Sequence, residues 1–137
     1  MQKVILDTNI VVSALIQKSF PYLILNELYV DRKIQLCISD ELMAEYTEVL
    51  KREKFARFTD FIQKASWILK DIREHSLLFH PQEKLNIIKD PDDNMLLELA
   101  VASSADFLIT GNTNDFTISA YESTKIVSAR EYWELYR

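Results

Sequence analysis

Lys3-Val4-Ile5-Leu6-Asp7-Thr8-Asn9-Ile10 sets a short apolar run directly before three residues that favour helix starts. Residues 3–6 are too few for a helix and suit a buried strand. Asp7, Thr8 and Asn9 can cap, and residues 10–16 read as the helix that follows. A strand that passes straight into a helix is the first half of a βαβ unit, and the same order recurs along the chain.

Pro21 opens a second helix, with Leu23, Ile24, Leu28 and Tyr29 at helical spacing. Residues 34–38 form the next strand, and Ser39 or Asp40 caps a helix running to about residue 52. A helix over residues 58–74 carries an apolar stripe of Phe61, Ile62, Ala65, Ile68, Leu69 and Ile72. Residues 76–79 suit a strand, residues 90–104 a helix, and residues 107–109 and 125–127 two more strands. Ser128 and Glu131 have capping-box spacing ahead of a final helix. Alternating strands and helices predict an α/β fold. The expected form is a three-layer α/β/α sandwich with a central, mostly parallel sheet of four to five strands, built as one domain over residues 1–137.

The net charge of −5 argues against a protein that grips DNA by a broad basic surface. It leaves open an enzyme acting on nucleic acid, because clustered carboxylates at a metal site lower the formal charge until cations bind. One local basic stretch, Lys51, Arg52, Lys54 and Arg57, reads either as a solvated helix end or as a weak RNA contact. Cys37 is the single cysteine, so an internal disulfide is impossible. Its place in an apolar run makes it a buried thiol and points to a reducing, cytoplasmic setting. The apolar run near Met1 is far shorter than a signal-peptide core or a membrane span.

In a parallel sheet, ligands sit beyond the carboxyl ends of the strands. Asp7 follows the first strand and serves equally as a helix cap or as a metal ligand. Projection of the third helix gathers Leu42, Tyr46, Val49 and Leu50 on one face, with Glu41 and Glu48 pointing away and Glu45 at the border. A carboxylate there is costly unless it is paired, metal-bound or able to reach solvent. The helix that starts at Pro91 is apolar around most of its circumference, and Asp93 falls on its inward stripe. Capping and the helix dipole explain why Asp90, Asp92 and Asp93 are tolerated at this start, but not why one of them faces inward. Beyond the next strand, Thr110-Gly111-Asn112-Thr113-Asn114-Asp115-Phe116 has turn chemistry, with Thr110 and Asp115 near a core strand end. Donor sets rich in carboxylate suit Mg²⁺ or Mn²⁺ rather than zinc. His75 and His80 flank an apolar run without metal-ligand spacing and read as structural or surface residues.

Taken in order, Asp7-Thr8-Asn9, Glu45, Asp93 with Ala100 seven residues on, and Thr110-Gly111-Asn112 followed by Asp115-Phe116 resemble the PIN domain family over nearly the whole chain. The segment from Asp90 to Ala100 is similar to a subgroup that serves as toxin components of type II toxin–antitoxin systems. The resemblance implies a ribonuclease that hydrolyses RNA phosphodiester bonds with Mg²⁺ or Mn²⁺. It implies catalytic and metal-binding carboxylates at Asp7, Glu45 and Asp93, with Asp115 or Asn112 as the fourth corner. Asn9, Thr110 and Asn112 would support and orient them. It also implies an antitoxin protein as partner and a homodimer. The cations would activate water and screen the charge that grows on the phosphate.

Two other readings stay open. Many family members carry Asp where this chain has Asn112, which is compatible with a degenerate domain that only binds nucleic acid or protein. A phosphatase-like metal-dependent hydrolase fits less well, because haloacid-type enzymes want a second Asp two positions after the first, and Asn9 stands there.

Overall fold

The computed structural model describes residues 1–111 and 116–137. Along the chain lie β1 (Lys3–Leu6), α1 (Thr8–Ile16), α2 (Phe20–Leu23), β2 (Gln35–Ile38), α3 (Asp40–Leu50) and α4 (Phe61–His75). They are followed by β3 (Leu77–Leu78), α5 (Pro91–Ser103), β4 (Phe107–Ile109), β5 (Ala120–Tyr121), β6 (Thr124–Val127) and α6 (Ala129–Glu131). Wider π-type turns prolong α2 over Ile24–Tyr29 and α6 over Tyr132–Tyr136.

The strands form one sheet in the order β3-β2-β1-β4-β6-β5. Every pairing is parallel except β5 with β6. The sheet therefore has six strands, where the sequence predicts four to five. The added strand, β5, is two residues long and folds back on β6 through Glu122, whose φ of 51° marks a tight turn. A strand this short offers no alternation to read.

β1 lies between β2 and β4, covered on both sides by helices. This is why Val4, Ile5 and Leu6 form an unbroken apolar run and are at most 1% exposed. On α3, Leu42, Met43, Tyr46, Val49 and Leu50 are buried while Glu41 and Glu48 face out. Ser39 caps this helix by accepting from the Leu42 amide at 3.1 Å. On α4, Phe61, Ala65, Ile68, Leu69 and Ile72 are buried. Ile62, expected on that stripe, is 63% exposed instead, because it follows Phe61 by one residue and so points about 100° away. The Ser128–Glu131 capping box forms as expected. Among the described residues, no single helix is long and apolar enough to cross a membrane.

One consequence of the strand order positions the site. The chain steps from β1 to β2 and β3 on one side, then crosses back to place β4 and β6 on the other. Connections leaving β1 and β4 thus diverge, and a crevice opens between their carboxyl ends. Asp7 and Thr110 are the first residues beyond those two ends.

Candidate active site

Backbone pairing continues one residue past each strand and holds the crevice floor. The Asp7 amide donates to the Ile109 carbonyl at 2.9 Å, and the Thr110 amide donates to the Val127 carbonyl at 3.0 Å. Side chains then join the two ends, since the Thr110 hydroxyl donates to Asp7 Oδ2 at 2.8 Å. Thr110 is fully buried and Asp7 is 8% exposed. Asp7 is also the N-cap residue of α1, yet its side chain makes no capping hydrogen bond. The carboxylate takes the Thr110 hydroxyl as its side-chain partner, with the Thr8 backbone adding a second, weaker contribution.

Glu45 lies on the border of the buried face of α3 and is half-buried. The Thr8 hydroxyl, one residue beyond Asp7, donates to Glu45 Oε2. One residue further along α3, the Tyr46 hydroxyl donates to the Leu6 carbonyl, one residue before Asp7. Two adjacent residues of α3 therefore grip the two residues that flank Asp7. Burial holds the Tyr46 hydroxyl well above its usual pKa, so it remains a donor at neutral pH.

Asp93 sits in the first turn of α5 and is 6% exposed. Asp90 caps this helix, accepting from the Asp92 amide at 2.9 Å. The approach to α5 is fastened by Asn94, whose Oδ1 accepts from the amides of Ile87 and Ile88 at 3.0 and 2.9 Å. Its Nδ2 donates to the Ile88 carbonyl at 2.5 Å. One turn on, buried Glu98 accepts from the Leu85 amide at 2.9 Å. Thr8, Tyr46, Asn94 and Glu98 were not among the residues singled out from sequence for the site. A polar pair four residues apart on the otherwise apolar α5 was the available signal for Asn94 and Glu98.

The electrostatics tie these acids together. Burial pushes the Asp7 carboxyl up from its ordinary value, hydrogen bonds from the Thr110 hydroxyl and the Thr8 backbone pull it back, and the charges of Asp90 and Asp92 raise it again. Burial likewise raises Glu45, its Thr8 bond lowers it, and Asp92, Asp7 and Asp90 add to the rise. Asp7, Glu45 and the start of α5 thus share one negative field. Among the described residues, no group of three or more His, Cys, Asp or Glu side chains is arranged to hold a metal ion. In this arrangement the acids repel one another, and Asp7 and Glu45 each turn to a threonine. The donor set is nevertheless all oxygen, which fits a hard divalent cation and does not fit zinc.

Of the remaining candidates, Asn9 is exposed on the first turn of α1. Asn112 and Asp115 lie outside the described residues. Lys51, Arg52, Lys54 and Arg57 are exposed between α3 and α4. His75 and His80 are both exposed, 3.8 Å from Asp71 and 3.6 Å from Asp40 respectively.

A parallel sheet with an acidic crevice at its switch point defines a class of α/β proteins with a candidate cation site. The PIN domain family model matches residues 3–114, most of the chain, and the chain belongs to that family. An uncharacterized protein of Methanocaldococcus jannaschii is 30% identical over 111 residues, covering 80% of this chain and 70% of that protein. Among solved structures, VapBC2 from Rickettsia felis bound to a DNA fragment from its promoter shares the fold, with a TM-score of 0.54 at 20% identity. That match covers 82% of this chain and 90% of the other.

Proposed function

We propose that the chain is a metal-dependent endoribonuclease, a single PIN domain over residues 1–137 that hydrolyses RNA phosphodiester bonds. In this reading Asp7, Glu45 and Asp93 hold Mg²⁺ or Mn²⁺, and Asp115 or Asn112 completes the set. The observation that carries it is Asp7, a buried carboxylate at the switch point, fixed by Thr110 and facing the field of other acids. Negative charge is costly in such a place until a cation joins it. A bound cation supplies Lewis acidity toward the phosphate and screens the charge that develops there.

The chain's own residues supply position. Thr110 and Thr8 orient the Asp7 and Glu45 carboxylates. Tyr46 holds the strand end that carries Asp7, and Asn94 holds the segment that leads into Asp93. Membership of the PIN family supports the choice of cation. The shared fold of the VapBC2 complex supports placing this chain as the toxin of a type II pair. On that reading it is cytoplasmic and homodimeric, and an antitoxin protein restrains it.

A second reading has one observation in its favour. The described acids do not form a ready ligand cluster, as expected for a degenerate domain that binds nucleic acid or protein without cutting. Incubating total RNA with wild type and Asp7→Asn in Mg²⁺, Mn²⁺ or EDTA, then mapping the new ends, separates the two. The nuclease reading expects discrete ends with either metal, lost in EDTA and in the variant. Wild-type cleavage by Asp7→Asn rejects the assignment. Hydrolysis of a generic phosphate monoester would indicate a phosphatase instead.

A further inference from the structure

The tip between α3 and α4 combines two features that the carboxylate site does not use. The first is charge. On a chain of net charge −5, four exposed cations, Lys51, Arg52, Lys54 and Arg57, fall within seven residues. Two of them, Lys54 and Arg57, lie over aromatic rings. Lys54 lies 5.1 Å from the Phe55 ring centroid and Arg57 5.1 Å from that of Phe58. Phe55 in turn packs on buried Phe61 at 5.4 Å.

The second feature is a cavity of about 220 Å³ whose lining includes two of these cations, Lys51 and Arg52. Leu50, Phe61, Ala65 and Leu69 make its apolar walls, and Lys51, Arg52 and Glu53 stand at its mouth. An apolar slot edged by Lys51 and Arg52, with Glu53 beside them, is complementary to a nucleotide, which carries a flat base and an anionic phosphate.

The tip is also joined to the carboxylate site. Lys51 caps the helix that carries Glu45, six residues and so about 9 Å of rise away. Arg52 pairs with Glu48 through two bonds of 3.2 and 2.8 Å. The guanidinium is exposed and carries its charge at any physiological pH. A phosphate can replace Glu48 as the partner of Arg52, because both offer a pair of oxygens to the same fork.

We infer that the α3–α4 tip is a nucleotide subsite, in which Lys51 and Arg52 take the backbone phosphates of an RNA strand and the cavity over Leu50, Phe61, Ala65 and Leu69 receives one of its bases. The substrate is then single-stranded in this stretch, since a base stacked in a duplex cannot enter. The inference rests on the ribonuclease reading for its choice of RNA, but its test does not depend on cleavage.

The test is equilibrium binding of a fluorescein-labelled RNA oligomer to the full chain in EDTA, as a single strand and as a blunt duplex of the same sequence. The single strand should bind about tenfold more tightly, the scale of one buried base. The double variant Lys51→Gln/Arg52→Gln should weaken single-strand binding and lower its salt slope by about 1.4, two phosphates' worth. Ser66→Leu, an exposed α4 position on the cavity wall, should weaken binding with the salt slope unchanged. Equal affinity for strand and duplex overturns the inference. So does wild-type binding by folded Lys51→Gln/Arg52→Gln or folded Ser66→Leu, with circular dichroism establishing the fold. If these expectations hold while Asp7→Asn cuts like wild type, the metal assignment fails and the subsite stands.

Discussion

Burial raises the Asp7 carboxyl, and the Thr110 hydroxyl at 2.8 Å works against that rise. Removing the hydroxyl while keeping the shape, as in Thr110→Val, should let the Asp7 proton bind more tightly. The acidic limb of the cleavage-rate profile should therefore move to higher pH, read from rates across a pH series in Mn²⁺. Asp7→Asn tests the same residue through stability. A carboxyl whose folded pKa lies above its unfolded value costs stability once ionised, so wild type without metal carries that cost at neutral pH and sheds it as pH falls toward 3.8. The variant should melt at a higher temperature than wild type at pH 7 in EDTA, with the gap closing in acid. A gain of about 1 kcal/mol would appear as roughly 3–5 °C in a chain of this size.

At the scale of elements, the parts that were legible in sequence are those whose burial pattern is local. β1 is legible because a central strand reads as an unbroken apolar run, and α3 because its projection separates Tyr46 from Glu41 and Glu48. β5 was not, since two residues paired through the turn at Glu122 carry no pattern. The burial of Asp7 and Asp93 and the border position of Glu45 could be read from their places after a strand or along a helix stripe. The groups that hold them could not, because Thr8 to Glu45 and Tyr46 to Leu6 are contacts about forty residues apart along the chain. The Asn94 clamp is the strongest element-level test. Asn94→Ala leaves the Ile87 and Ile88 amides and the Ile88 carbonyl without their partner. A loss of about 2–4 kcal/mol is expected in urea unfolding. Amide exchange should quicken over residues 87–93 while β1 stays protected. Tyr46→Phe, which strands the buried Leu6 carbonyl, should cost about 1–2 kcal/mol in the same experiment.

At the scale of the molecule, the fold sets an acidic crevice between two diverging strands and a cluster of four cations on the tip beyond α3. The strand order explains why Asp7 and Thr110 meet although 103 residues separate them. Self-repulsion among Asp7, Glu45, Asp90 and Asp92 also means that the protein should be stiffened by the cation it is proposed to use. Ligand binding to the folded state alone raises stability with concentration, so Mn²⁺ should raise the melting temperature of wild type and leave Asp7→Asn unmoved. The direct measurement is calorimetric titration of Mn²⁺ into the metal-free chain, with Asp7→Asn and Asp93→Asn alongside. Saturable binding by wild type, weakened at least about tenfold in each variant, is the predicted result. No heat from wild type, or equal affinity in all three proteins, would contradict a metal centre built on Asp7 and Asp93.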